Sequence, residues 1–234
     1  MKHKLNYSRT QIYQNCLYAM CIHIAAIPRL WEVSHERSWD EISYSFQSYK
    51  STCGTISFDQ QSDILVGAFR KNDCVWLDGY PQKNALTFFL DSDESVCKLA
   101  QKETLQYLLI TYEKKEKKNL FFTKTKKLDI PVITTAFWSE GDDIYSSDDE
   151  NSFIENGGDY INDICIPKKD LVEILTDDYE LTPIELSFAE NLYNLKNNNQ
   201  TEISRDLFSK IANMEPEGYE AFLSALSDFH FKVI

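Results

Sequence analysis

The chain has 234 residues, of which 43% are hydrophobic and 13% aromatic, and its formal net charge is −13. This apolar and aromatic content excludes a wholly disordered chain, while 7 Gly and 6 Pro exclude a fibrous or low-complexity protein. The length allows a substantial core, in one large domain or two small ones.

Residues 16–27 form the most apolar stretch and predict an N-terminal core helix that begins near Ser8. A basic tetrapeptide, residues 1–4, precedes this stretch, so a signal peptide is the alternative. The stretch includes Tyr18 and His23, its large side chains recur at helical spacing, and it is too short to span a bilayer. We therefore favour the core helix.

After Pro28 the hydrophobic period changes from helical to alternating, which is typical of strands. Residues 42–47 predict a half-exposed strand, and residues 54–58 and 64–69, joined by five polar residues, predict a hairpin. The second run of the hairpin is apolar on both faces, so we expect it to lie centrally in its sheet. Residues 74–77 predict one further short strand.

From about Ala85 the pattern predicts a helix that ends in the charged residues 113–118. Its apolar stripe consists of Leu105, Leu108, Leu109 and Tyr112. Residues 114–127 contain seven Lys and one acid, which we interpret as a solvated helix end followed by a loop. A nucleic-acid patch is the alternative, but the run contains no Arg, so we expect no nucleic-acid partner.

Residues 130–138 are rich in β-branched side chains and predict another strand. The next 25 residues, 139–163, hold nine acids and no Lys or Arg, with glycines that favour turns. We expect this acidic segment to be a surface loop.

The last third of the chain predicts a cluster of helices, the first from Pro167 to Leu175. Thr182, followed by Pro183 and by Glu185, is typical of a capping box at the start of the next helix. The apolar stripe of that helix consists of Leu181, Ile184, Phe188, Leu192 and Leu195. Residues 203–214 and 219–229 predict two more helices.

The order of these elements predicts an α+β fold, with a mainly antiparallel sheet, an N-terminal helix and a C-terminal helical cluster. No flexible linker separates the halves, so we expect a single composite domain over residues 1–234. Residues 167–234 form a possible helical subdomain on the same core.

The sequence offers no convincing catalytic or metal motif. No two of the four His have ligand spacing, no CxxC pair occurs among the six Cys, and calcium-loop and phosphate-loop patterns are missing. We interpret the cysteines as reduced thiols of a cytoplasmic protein and expect no cofactor and no metal. The alternative is a hydrolase-type enzyme of unrecognised family, with His35 or a carboxylate pair in a cleft.

Most of the negative charge lies between residues 139 and 190, where sixteen Asp and Glu face only Lys168 and Lys169. An acidic segment with interleaved aromatic residues is typical of a docking surface for a basic protein, since charge speeds encounter and aromatic side chains anchor. A merely solubilising loop is the alternative. The predicted partner contacts are Trp138, Asp142, Asp143, Tyr145, Asp148, Asp149 and Glu150.

Three segments, residues 38–44, 53–58 and 66–70, resemble small bacterial proteins of immunity type, which neutralise toxins. The resemblance implies an antitoxin that inactivates a cognate toxin by binding it. Together with the acidic segment, it favours a non-enzymatic protein that blocks a basic, nuclease-like toxin. We expect no membrane association; a regulatory subunit of a larger assembly is a further alternative, and the sequence leaves the oligomeric state open.

Overall fold

The computed structural model of the chain describes residues 1–48, 51–72, 84–119, 122–204, 207, 211 and 216–234. Its strands are, in chain order, β1 His3–Ser8, β2 Arg37–Asp40, β3 Ser43–Gln47, β4 Thr52–Asp59, β5 Ile64–Lys71, β6 Leu109–Asn119, β7 Phe122–Pro131, β8 Thr135–Glu140, β9 Asp143–Ser146, β10 Glu202–Ile203 and β11 Lys232–Val233. Seven of them form one sheet in the order β1-β9-β8-β5-β4-β3-β2, with every neighbouring pair antiparallel.

Helices cover both faces of this sheet. Among the described residues they are α1 Arg9–Ala26, α2 Glu94–Lys102, α3 Glu150–Phe153, α4 Asp159–Ile164, α5 Lys168–Asp178, α6 Pro183–Asn197 and α7 Pro216–Asp228. Short 3-10 turns occupy Trp31–Val33, Ala85–Phe89 and Thr104–Leu108, and a π-helical turn joins α3 to α4 over Ile154–Gly158. The prediction of an α+β fold with a mainly antiparallel sheet, an N-terminal helix and C-terminal helices is confirmed.

Helix α1 is the central element of the larger core. Ser8 is its N-cap, and the Ser8 hydroxyl accepts a hydrogen bond from the backbone N–H of Gln11 at 3.3 Å. From Cys16 onward every residue of the helix is buried, as expected for a helix that is apolar on all sides. It packs between the sheet and the C-terminal helices, which share its apolar core. The predicted core helix is therefore confirmed.

Strand β5 lies in the middle of the sheet and contributes to both cores. Leu65 and Phe69 face the core around α1, whereas Val66 and Ala68 face a second core formed with α2 and its flanking 3-10 turns. Gly67 on the same strand lies against Phe137, where an added Cβ would come within 2.0 Å of the ring. The predicted central position of this strand is confirmed.

Residues 109–119 and 122–129 differ from the prediction of a helix end and a loop, because they belong to β6 and β7, the two paired strands of a hairpin. Ile110 pairs with Ile130, and Lys127 forms an ion pair with Glu113 at 2.8 Å. The leucines before Leu109 do have near-helical spacing, but they belong to a 3-10 turn that ends where β6 begins. The two strands pair with each other and not with the seven-stranded sheet.

The acidic segment also differs from its prediction as a surface loop. Residues 139–163 contain the end of β8, all of β9 and α3, and α4 up to its last residue but one. Strand β9 pairs on one side with β8 and on the other with β1, a strand that the sequence did not predict. Only Leu5 of β1 is buried, so the strand leaves almost no apolar periodicity in the sequence.

At the C-terminal end the capping box at Thr182 is confirmed: the Thr182 hydroxyl accepts from the N–H of Glu185, whose carboxylate accepts from the N–H of Thr182 at 2.7 Å. The last predicted helix corresponds to α7. Ile203 lies in β10 rather than in a helix. Most of the helix predicted over 203–214, and the strand predicted over 74–77, lie outside the described residues.

Five cysteines of the described chain are free thiols, and Cys74 lies outside the described residues. Burial raises the pKa of Cys16 and of Cys165, so both thiols stay protonated at neutral pH. Within the described residues, no helix has both the length and the apolar content needed to cross a bilayer.

Candidate binding site

Asp142, one of the predicted partner contacts, is engaged in capping helix α1. Its carboxylate accepts hydrogen bonds from the Ser8 hydroxyl at 2.7 Å and from the backbone N–H and the hydroxyl of Thr10, both at 2.8 Å. These bonds, led by that of Ser8, lower the pKa of Asp142. A carboxylate at a helix N-terminus satisfies N–H groups that lack partners in the helix and favours the helix dipole. The exposed Asp142 therefore serves the fold.

The neighbouring predicted contacts are engaged as well. Asp143 forms an ion pair with Lys4 of β1 at 2.7 Å, and Asp148 accepts a hydrogen bond from the buried Thr135 hydroxyl at 2.7 Å. Asp149 is the N-cap of α3, and a hydrogen bond from the backbone N–H of Ser152 lowers its pKa.

Trp138 and Tyr145, the two predicted aromatic anchors, face the second core. Trp138 is fully buried against the 3-10 turn that contains Phe89, and its indole N–H donates to Glu140 at 3.2 Å. The prediction that Trp138 contacts a partner is therefore wrong. Tyr145 is half-buried against the same core, with the ammonium of Lys2 above its ring at 4.7 Å.

The structure also separates the predicted acidic contacts into two groups at opposite ends of β9. Asp142 and Asp143 lie at its start, whereas Asp148, Asp149 and the exposed Glu150 follow its end. The four residues of the strand span about 13 Å. The segment therefore does not present one continuous acidic patch, and most of its carboxylates already have partners within the chain.

Helix α5 carries a different acidic surface. Asp170, Glu173, Asp177 and Asp178 are exposed, with Ile174 among them at 48% exposure. Helical spacing places Glu173 and Asp177 on the side of α5 opposite the buried Leu171 and Leu175. Asp170 and Ile174 lie next to them, and Asp178 lies beside Leu171 at the border of the buried side. In the part of the chain that the structure describes, none of these four carboxylates lies within ion-pair distance of a Lys or Arg.

A cavity of about 500 Å³ opens beside this surface and shares Ile174 and Asp178 with it. Side chains of α1, the 3-10 turn at Trp31–Val33, β2, β3, α4 and α5 form its walls, in which aliphatic and aromatic side chains together outnumber the polar ones. Glu36, Asp163 and Asp178 add carboxylates, and Arg37 is the one cation among the described residues of the lining. A cavity of this size, apolar with a few polar groups, has the dimensions of a small-molecule or side-chain site.

Arg37 is held in this cavity by three tyrosines from different elements. Its Nη1 donates to the hydroxyls of Tyr44 and Tyr160, both at 2.6 Å, and its Nε donates to the hydroxyl of Tyr179 at 3.0 Å. The hydroxyls of Tyr44 and Tyr160 are themselves 3.0 Å apart. These contacts fix the guanidinium between β2, β3, α4 and the end of α5.

The tyrosines leave the charge of Arg37 uncompensated. Burial raises the pKa of Tyr44, Tyr160 and Tyr179, although Arg37 itself acts in the opposite direction on each of them. All three hydroxyls are therefore neutral at neutral pH, whereas a guanidinium keeps its proton. No carboxylate of the described residues lies within ion-pair distance of Arg37.

His23 extends this tyrosine cluster into the core. Its Nδ1 lies 3.2 Å from the Tyr179 hydroxyl, and its Nε2 is buried without a hydrogen-bond partner in the described chain. Burial lowers the pKa of His23 to about 3, so the imidazole is neutral and adds no charge to the cavity.

His35, the candidate of the enzyme alternative, lies elsewhere. It is exposed and lines a smaller groove of about 260 Å³ that also contains Ser38, Cys53 and Arg70. Within the described residues the His35 side chain has no hydrogen-bond partner. The described residues also include no group of three His, Cys, Asp or Glu that could hold a metal ion.

The sequence did not reveal the site around Arg37. Tyr44 follows Arg37 by seven residues, but Tyr160 and Tyr179 follow it by more than a hundred, and no spacing rule links an arginine to such distant tyrosines. The acidic surface of α5 could have been predicted from the sequence, because its residues lie in the acidic part of the chain and have helical spacing. Comparisons with protein-family models, with curated proteins and with solved structures find no match for this chain.

Proposed function

We propose that this chain is a non-enzymatic, cytoplasmic binding protein of immunity type, which neutralises a basic, nuclease-like toxin by covering it. The observation that carries the proposal is the exposed surface of α5, where Ile174 lies among four carboxylates that have no cationic partner in the described chain. This surface replaces the segment around β9 as the proposed docking site, because the β9 carboxylates are engaged within the fold.

Electrostatics supports a basic partner. Unpaired carboxylates on one helix face produce a local negative potential, which speeds the encounter with a cationic surface and disfavours acidic proteins. A nuclease is a suitable target because it must carry a basic groove for the phosphate backbone of its substrate. Ile174 and the apolar walls of the neighbouring cavity supply the desolvated centre that a stable interface needs.

The test uses the purified chain as bait in a lysate of its native host, followed by an activity measurement. The first bait is the wild type, and the second carries Asp170→Lys, Glu173→Lys and Asp177→Lys. We expect the wild type to retain a basic protein whose cleavage of DNA or RNA stops at equimolar addition of this chain. The triple variant should lose at least about tenfold in affinity, because several charge contacts become repulsive.

A control variant reverses Glu217 and Glu220, two exposed acids of α7 on another part of the surface. This control should bind and inhibit like the wild type, which separates a docking surface from a general effect of net charge. Equal losses in both variants would remove α5 as the docking surface. A retained partner that is acidic, or whose activity is unchanged on binding, would overturn the proposed function itself.

A further inference from the structure

We propose that the cavity beside α5 is a binding site for a carboxylate attached to an apolar body, with Arg37 as the group that recognises the carboxylate. The inference does not depend on the proposed function, since it concerns the interior of the cavity and a small ligand rather than the exposed side of α5. It is carried by the hydrogen bonds of Arg37, by its missing counter-ion and by the composition of the walls.

The hydrogen bonds of Arg37 leave donors available. A guanidinium has five N–H groups, and the tyrosines accept from Nε and from Nη1. Nη2 makes no hydrogen bond to the described chain. Tyr44 and Tyr160 both accept from Arg37, and only one of their two hydroxyls can donate to the other. The cluster thus offers the N–H groups of Nη2 and one further O–H to an acceptor in the cavity.

The charge of Arg37 makes an anion the fitting acceptor. Arg37 is half-buried and held only by neutral hydroxyls, so a negative group at hydrogen-bond distance would stabilise its charge. Glu36, an acid in the lining, accepts a hydrogen bond from the Tyr179 hydroxyl at 3.4 Å rather than from the guanidinium. An incoming carboxylate would therefore supply the counter-ion that the described chain does not.

The walls specify the rest of the ligand. Aliphatic side chains from four elements line the cavity, among them Leu30, Val33, Ile164, Ile166, Leu171 and Leu175. Burying an alkyl chain against such walls tightens binding by about fourfold per methylene. Asp178 is exposed at the edge of the cavity and opposes the entry of an anion. A ligand must therefore combine one carboxylate with enough apolar surface to offset this repulsion.

The first experiment needs no variant. Octanoate, octanol and octylamine have the same alkyl chain and differ in the charge of the head group, and their binding to the wild-type chain is measured by calorimetry and by the shift in melting temperature. We expect octanoate to bind at least about tenfold more tightly than octanol, which is the usual gain from charge-assisted hydrogen bonds. Octylamine should bind least tightly to the Arg37 site. Octanoate that binds no better than octanol or octylamine would overturn the proposal.

Variants then locate the site. R37Q should weaken octanoate binding by about tenfold or more and leave octanol binding unchanged, since it removes the charge but keeps the walls. Lys169→Gln removes an exposed positive charge of α5 outside the cavity lining and should leave octanoate binding unchanged. D178N should tighten it severalfold because one opposing charge is lost. Octanoate that binds R37Q as tightly as the wild type would refute the assignment. If R37Q does not fold, the comparison of the three ligands on the wild type, together with octanoate binding to D178N, decides whether the proposal holds.

The same chemistry occurs at the end of a peptide, so one further comparison identifies the source of the carboxylate. N-acetyl-leucyl-leucine is tested as the free acid and as the amide. A free acid that binds more tightly than both its amide and octanoate assigns the cavity to a peptide C-terminus. Tighter binding of octanoate assigns it to a free alkyl carboxylate.

Discussion

Two acidic regions of this protein have similar composition but use their charges differently. In the β8–β9 region, Asp142 caps α1, Asp143 pairs with Lys4, and Asp148 holds Thr135. On α5, the exposed carboxylates contact no cation of the described chain. Carboxylates that accept hydrogen bonds within the fold contribute to stability. Carboxylates that are unpaired on the surface remain available to a partner. Substitutions in the two regions should therefore differ in their effect on stability.

The largest effect is expected for Trp138→Ala. The side chain is fully buried in the second core, so its removal leaves a cavity and should reduce the free energy of unfolding by about 3–5 kcal/mol. Trp31 is a matched control because 43% of it is exposed, and Trp31→Ala should cost less than about 1 kcal/mol. Urea unfolding followed by circular dichroism measures both. A W138A protein as stable as W31A would contradict the assignment of Trp138 to the core.

Acidification should destabilise the cavity side through His23. Its folded pKa, about 3, lies below the value of about 6.5 expected in the unfolded chain, so protonation favours unfolding. The stability that depends on a neutral His23 is therefore fully present above about pH 6.5 and is lost as the pH falls towards 3. Between pH 7 and pH 5 the free energy of unfolding should fall by about 2 kcal/mol from this residue alone.

The measurement for His23 is urea unfolding at a series of pH values. His23→Gln should flatten the dependence between pH 7 and 5. His230→Asn should keep the wild-type slope, because His230 is exposed and asparagine tolerates its positive φ of 64°. A wild-type slope in the H23Q protein would show that His23 is not the group responsible.

A smaller effect is expected for Asp142→Ala. The substitution leaves the backbone N–H of Thr10 and the Ser8 hydroxyl without this acceptor, which should cost about 1–2 kcal/mol in the free energy of unfolding. Asp143→Ala removes only an exposed ion pair with Lys4 and should cost less than about 1 kcal/mol. Thermal unfolding of the two variants side by side provides the test. The opposite ranking would argue against the capping role of Asp142.

The smallest effect is expected on α5. Replacing Glu173 with Gln and Asp177 with Asn removes two like charges four residues apart, so stability should rise slightly, by about 0.2–0.5 kcal/mol. The same thermal measurement applies. A loss of more than about 1 kcal/mol would mean that these carboxylates support the fold, and the contrast between the two regions would then disappear.

The sequence predicted correctly the elements that carry local signals and missed those that do not. Helices α1 and α6 were predictable because caps and apolar periodicity are local signals, as at Ser8 and Thr182. The hairpin of β6 and β7 was missed because its lysine-rich strands lack an apolar face that would mark them as β. The resemblance of three segments to immunity-type proteins stays a hypothesis that the binding experiments address.

By itself, the sequence determined the fold class, the central position of β5 and the burial of α1, because these depend on periodicity and apolar content within short windows. The tertiary structure decided which charges are available. Asp142 and the carboxylates of α5 differ little in sequence context, and only the position of Ser8 and Thr10 next to Asp142 shows that one is engaged. The same holds for Arg37, whose partners Tyr160 and Tyr179 meet it only after the chain has folded, since hydrogen bonds between distant segments leave no local pattern.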